Sequence, residues 1–331
     1  MDSTRDAGHL GVSAPRILVL GGRSFHRSPL LPLGWHLAEL HAAAIKLGVE
    51  LLFADYETLT AEVDVAGPHT RAACQSVDVD HPLPMRLDEF DGLYTRTMPA
   101  GSTEQIVYRL STLHDEYYRR KAKEQHSSFV NIPASLELAI DKYATLARVA
   151  RLGILTPATI VTQSRADAME AFDKFGGDVV VKPIFGGEGR GVLRLRDAEL
   201  AWTTFTTLQQ IGSVFYVQEF CPPGGSDVRL LVIGKDVHAI RRTCQDDFRT
   251  NVRAGGRSEA IECTDQWREL ALRVCREFEL TIAAVDLIEL DRGGEYRLIE
   301  VNAIPGWKSA QSAVTNNLAE QIISVLKSRS V

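Results

Sequence analysis

Val179–Leu195, VVVKPIFGGEGRGVLRL, sets Gly186, Gly187, Gly189 and Gly191 between two apolar, β-rich arms. Glycine lets the backbone come close to a ligand, which is what a phosphate cradle needs. A Walker loop would end in Gly-Lys-Ser/Thr, and a dinucleotide fingerprint would run into a helix. Here VLRLR follows and reads as a strand, so the glycines are expected at the tip of a β-hairpin that folds over phosphates as a flap. Lys182 lies in the strand just before them, where its ammonium would meet the same phosphates as a point charge. The bland alternative is a tight turn beside a snorkelling lysine.

Downstream, AAVDLIEL and EYRLIEVN flank DRGG and read as a β-hairpin. Glu300 and Asn302 are two apart on an apolar strand and leave the same face. With a three-residue loop of Arg292, Gly293 and Gly294, Asp286 opposes Glu300 and shares that face. Two carboxylates about 4 Å apart repel by roughly 4 kcal/mol at an effective dielectric near 20, so something positive must join them. Oxygen ligands completed by phosphate oxygens suit Mg²⁺, and the pattern predicts a metal site at Asp286, Glu300 and Asn302. A network of salt bridges with nearby arginines is the structural alternative.

Between the two hairpins, Asp227, Arg229, Arg241, Arg242, Arg249 and Asn251 crowd into DVRLLVIGKDVHAIRR and DDFRTNVRAGG. Guanidinium groups gathered beside a metal site suggest anion recognition and stabilisation of developing charge. Ordinary surface ion pairs would look similar one residue at a time. Arg96, in TRTMPAGS, precedes the capping-box spacing Ser102 to Gln105 and could hold an acidic substrate with help from a helix dipole.

Working outward, RILVLGG and VELLFADY flank the helical period of Trp35–Leu47, a βαβ start to an α/β domain over 16–130, with a long helix to about Lys123. Residues 1–15 are expected to be a loose tail. Residues 131–221 form a second domain, with helix from about Ser135, and 222–331 a third that closes on a helix from Ala310 to Leu326. A chain of 331 residues suits two or three small domains. A net charge of −6 argues against a nucleic-acid partner bound by phosphate neutralisation. The five cysteines make no CxxC pair and the nine histidines no HExxH, so a disulfide framework and a zinc site are not suggested. No apolar leader core or membrane-length apolar run is present, and a cytoplasmic setting is expected.

In order, Asp141-Lys142, VVVKP, GGEGRG, VQEF, DVR, RR, DFRTN followed by GG, VDLIE and IEVNAIPGW resemble the RimK-type glutamate ligase branch of the ATP-grasp superfamily, from about residue 96 to 308. The resemblance implies an α/β (α+β) ATP-grasp fold behind a Rossmann-like pre-ATP-grasp domain. It implies that Lys142, Lys182, Gly187 and Gly189 meet ATP phosphates, and that Glu219 and Phe220 line the adenine and ribose pocket. Asp227 would face the nucleotide, Arg249 and Asn251 the phosphates, and Asp286, Glu300 and Asn302 would hold Mg²⁺ or Mn²⁺. Arg229 or Arg242 would stabilise a tetrahedral intermediate, a role worth roughly 100- to 1000-fold in rate. The implied chemistry joins a carboxylate to an amine through an acyl phosphate, releasing ADP.

RTMPAGSTEQ, ELAIDKY and NAIPGW look most similar to ligases that add glutamate to tetrahydromethanopterin-type pterins. The expected partners are therefore a small carboxylated cofactor and L-glutamate or another amino acid, with room for a homo-oligomer. Arg96 and Arg241 would contact substrate, and Trp307 would either stack on a flat pterin or pack inside. The alternatives are a ligase for an amino-acid carrier, a ribosomal protein or a dipeptide, and an ATP-binding regulatory module without turnover.

Overall fold

The computed structural model describes residues 14–21, 34–65, 67–76, 82–124, 128–187, 189–250, 256–290 and 295–330. Most of the expected N-terminal tail, Asn251 and the turn of the acidic hairpin lie outside them.

The first sheet is built on parallel strands β1 (Arg16–Gly21), β2 (Glu50–Asp55), β6 (Gly92–Thr95) and β7 (Phe129–Val130). RILVLG reads as an unbroken apolar run because both faces are covered, and Ile17, Leu18, Val19 and Leu20 are buried. Helix α1 (Trp35–Leu47) makes the crossover from β1 to β2 and stops at Gly48, whose φ of 64° a side chain would resist. Antiparallel β3 (Thr60–Asp64), β4 (Gly67–Gln75) and β5 (Leu83–Arg86) extend the sheet beyond β2. Helix α2 (Thr103–Ala122) begins with the expected capping box, Ser102 and Gln105 each satisfying the other's backbone N–H.

Two helices replace the single one expected after Ser135. Helix α3 (Pro133–Ile140) starts on its proline, and α4 (Lys142–Arg151) starts afresh because the Asp141 carboxylate accepts from the N–H groups of Tyr143 and Ala144. The next sheet runs β10-β9-β11-β8, from β8 (Thr159–Thr162), β9 (Val179–Lys182), β10 (Leu193–Leu195) and β11 (Phe215–Glu219). Helices α5 (Arg165–Lys174) and α6 (Ala198–Gln210) supply Phe172 and Phe205, which pack with Val181, Phe215 and Val217. Strands β9 and β10 pair antiparallel, so the glycine stretch is the connection of a hairpin, as its flanks suggest.

The last sheet runs β14-β13-β12-β15-β16: β12 (Ser226–Ile233), β13 (Asp236–Thr243), β14 (Arg257–Ile261), β15 (Ile282–Glu289) and β16 (Tyr296–Asn302). Val228, Leu230, Val232, Val285 and Leu287 share a core with α7 (Asp265–Glu277). The alternate residues Leu231, Ile233, Ile240 and Ile282 join the core containing α9 (Leu318–Arg329) and α1. The closing helix is also divided, into α8 (Lys308–Ala313) and α9, because Asn317 caps a new start. The Asn131 side chain donates to the carbonyls of Ile282 and Ala303 and accepts from the N–H groups of Thr281 and Ile282. One buried amide thus joins the end of the first sheet to both strands that carry the acids.

Candidate active site

Alternation along β12 puts Asp227 and Arg229 on one face, and the register extends that face across the sheet. Asp227 is opposite Arg242, Arg229 is opposite Asp286, and Asp286 is opposite Glu300. The acid pair occurs as expected, by a different route. The expected loop of Arg292, Gly293 and Gly294 lies outside the described residues, and beside it the strands pair one residue away from the expected register, since the Leu290 N–H donates to the Glu295 carbonyl and Leu287 faces Leu298. A bulge then inserts Ile299 and restores the pairing of Asp286 with Glu300.

Buried charges fill this face. Arg229 donates from Nε and Nη2 to Asp286 at 2.8 and 2.6 Å, and Arg242 grips Asp227 likewise at 2.7 and 2.6 Å. Arg242 Nη2 also reaches Asp286 at 3.0 Å, and the Thr250 hydroxyl donates to Asp227. Such two-pronged contacts fix orientation as well as charge. Burial pushes the Asp286 carboxyl up, but Arg229 and Arg242 outweigh it and hold it at about 2. Burial disfavours the Arg242 charge, and Asp286 and Asp227 more than restore it.

Opposite these charges stand two lysines. Lys142, the first residue of α4, donates from Nζ to the Gly186 carbonyl and from its backbone to that of Ile184, which ties the helix to the glycine connection. Lys182 donates to Gln218 Oε1 at 2.7 Å, and Gln218 is itself held by Thr159 and Tyr216. Burial lowers both ammoniums, Lys182 to about 8, while Glu300 acts the other way on each. Glu300 of the last sheet thus acts on Lys182 of the middle sheet and on Lys142 at the start of α4. Gln218 is a buried amide on an otherwise apolar strand, a signal within FYVQEF that the sequence reading did not use.

The remaining expected residues are distributed as follows. Gly187 has open space where a side chain would go, and Gly189 takes a φ of 69°. Glu219 accepts from the Ala158 N–H at 2.8 Å, and Phe220 carries the Arg194 guanidinium 3.3 Å above its ring. Arg249 is clamped on Asp247 and donates to the Val192 carbonyl just past the glycines. Arg96 follows β6 at the C-terminal edge of the first sheet and is buried. Two expectations need correction. Arg241 lies on the opposite face from Arg242, because neighbours on a strand point apart, and it pairs with Glu289 at 3.1 Å. Trp307 is fully buried between Trp35 and His36, with ring centroids 4.8 and 4.9 Å away, so it offers no face to a flat substrate and takes the packing role.

The donors on the acid face fit a hard cation. Asp286 and Glu300 offer carboxylate oxygens and Asn302 its Oδ1, which accepts from the Ile304 N–H at 2.8 Å, while both Asp286 oxygens also accept from Arg229 and one of them from Arg242. Among the described residues no group of three or more His, Cys, Asp or Glu side chains could hold a metal.

Residues 139–326, more than half of the chain, match the RimK-like ATP-grasp domain. The chain belongs to that family. This RimK-like protein is an ATP-dependent ligase. It is 30% identical over 253 residues to the tetrahydromethanopterin:alpha-L-glutamate ligase of Methanocaldococcus jannaschii, covering 73% of this chain and 82% of that one. It is 31% identical over 228 residues to a ribosomal protein bS6–L-glutamate ligase of Escherichia coli, covering 66% and 75%. In fold it is similar to the ATP-grasp ligase PsnB, solved with a minimal precursor, Mg and ADP, at a TM-score of 0.66 and 18% identity over 95% and 97% of the two chains. Among its described residues no helix is long and apolar enough to cross a membrane.

Proposed function

We propose that this RimK-like ligase forms an amide between L-glutamate and a carboxylate of a small cofactor-type acid, such as a tetrahydromethanopterin-type pterin, through an acyl phosphate. The observation that carries the ligase chemistry is the meeting of Lys142 and Lys182 with the face that bears Asp286 and Glu300. The likeness to the Methanocaldococcus jannaschii enzyme favours the pterin-type acceptor.

In this reading the two lysines hold ATP phosphates beneath the glycine connection. Asp286, Glu300 and Asn302 would hold Mg²⁺, which when bound supplies positive charge against the phosphate oxygens. Arg229 and Arg242, whose planes Asp286 and Asp227 fix in advance, present N–H groups to the oxyanion that develops when the amine attacks. Preorganised donors need no rearrangement at the moment of reaction. Asp227 acts through Arg242, whose guanidinium it orients by a two-pronged contact.

A second reading, a protein acceptor, is favoured by the similar identity to the Escherichia coli enzyme. An ADP-release screen that pairs L-glutamate and other amino acids with pterin acids, small acids and protein C-termini, with mass spectrometry of the products, separates the two. ADP is expected only when acid and amine are both present, and Glu300→Gln should lower release about 1000-fold while ATP still binds. Release of AMP, or full activity in Glu300→Gln, contradicts the scheme.

A further inference from the structure

At the C-terminal edge of the first sheet, polar atoms are buried without partners. Arg96 is 5% exposed, its Nε has no hydrogen-bond partner, and among the described residues no carboxylate pairs with it. The Thr97 hydroxyl, His36 Nε2 and Trp307 Nε1 are likewise buried without hydrogen bonds. These atoms are gathered together. Arg96 and Thr97 both donate their backbone N–H to the carbonyl of Leu20 at the end of β1, and the His36 ring lies 4.9 Å from that of Trp307. Burial, and after it the charges of Arg96 and Lys308, hold the His36 imidazole far down, at about 3. His36 is therefore neutral at any working pH, and Arg96 and Lys308 supply the positive charge.

A buried guanidinium with no counter-charge is costly, and every unpartnered atom in this group can donate a hydrogen bond. Both facts point to an anion. The C-terminal edge of a parallel sheet is also where open α/β sheets hold their ligands. Trp307 lies in the segment that leads out of Asn302, and Asn131 fastens Ala303 in that segment to the end of β7. The edge of the first sheet is thereby held against the chain just beyond the acid-bearing strand.

We infer that Arg96, assisted by Thr97, His36 and Lys308, binds a substrate carboxylate that is not the one activated, and so selects acidic substrates. The inference rests on the ligase reading for its location. The carboxylate belongs either to the incoming amino acid or to the acceptor acid, and kinetics separate these sources.

The test is Arg96→Gln and Arg96→Lys in the full-length protein. ADP release is followed while each substrate is varied in turn, with methyl esters of the amino acid and acceptor as uncharged analogues. In Arg96→Gln the KM of one organic substrate should rise about 10- to 100-fold, with the KM of ATP unchanged and the preference for acid over ester lost. Arg96→Lys should recover part of that preference. The substrate whose KM moves identifies the carboxylate. Because Arg96 has no acid partner among the described residues, Arg96→Gln should not lower the thermal midpoint of the free protein, as loss of a structural ion pair would. Unchanged KM values with the acid preference intact overturn the inference. If the wild-type protein releases no ADP with any pair, the ligase reading fails instead, and calorimetric titration with glutarate still decides this site. Arg96-dependent binding of glutarate upholds it, and equal binding by Arg96→Gln or no binding by the wild type overturns it.

Discussion

Positive charge is held in two different ways on the two sides of the candidate active site. On the last sheet, Arg229 and Arg242 are matched by Asp286 and Asp227 in a buried network. Across from it, Lys142 at the start of α4 and Lys182 on the middle sheet rest on neutral oxygens, the Gly186 carbonyl and the Gln218 amide. Paired arginines are rigid and nearly neutral as a group, which suits donors that must not move. Lysines supported only by dipoles keep their net charge for an arriving polyphosphate.

The largest expected effect comes from breaking the paired side. Asp286→Asn leaves two guanidinium groups buried with one acid between them. It should cost about 3–5 kcal/mol in urea unfolding and also abolish measurable ADP release. On the lysine side, Lys182→Met should weaken ATP binding about 10- to 100-fold by calorimetry, with no comparable loss of stability. The acidity of Lys182 sharpens the contrast. Its ammonium is lowered from 10.5 to about 8 by burial, so the folded protein binds fewer protons than the unfolded chain between those values. Stability of the free protein from this group therefore rises as pH climbs from about 8 towards 10.5, while ATP affinity falls over the same range as the charge is lost. Urea midpoints and calorimetry across that window should move in opposite directions. The smallest effect belongs to Arg241→Ala: its part-exposed pair lies behind the sheet, and kcat/KM should change by less than about threefold.

Much of this was legible in the chain. The glycine hairpin and its lysine follow from flanking strand character, whereas the pairing of Asp227 with Arg242 emerges only from the register of β12 and β13. The expected pairing of Asp286 with Glu300 occurs, but nearer the turn the register is one residue off because Ile299 is an inserted residue, and no residue type announces a bulge of that kind. Arg241 and Arg242 look alike in sequence, yet alternation separates them once one partner is known. Partners from distant segments, such as Gln218 for Lys182 and Thr250 for Asp227, could not be read, since each contact depends on how separate strands and loops are brought together. The antiparallel extension β3–β5 was missed too, because half-exposed strands such as TAEVD and LPMR lack an apolar rhythm.

The four hydrogen bonds of the Asn131 amide have a mechanical consequence. They weld the N-terminal sheet to the acid-bearing one, so that these two form a single anvil. The four-stranded sheet meets that anvil through separate contacts, such as Arg249 on the Val192 carbonyl and the Leu298 N–H on the Leu155 carbonyl.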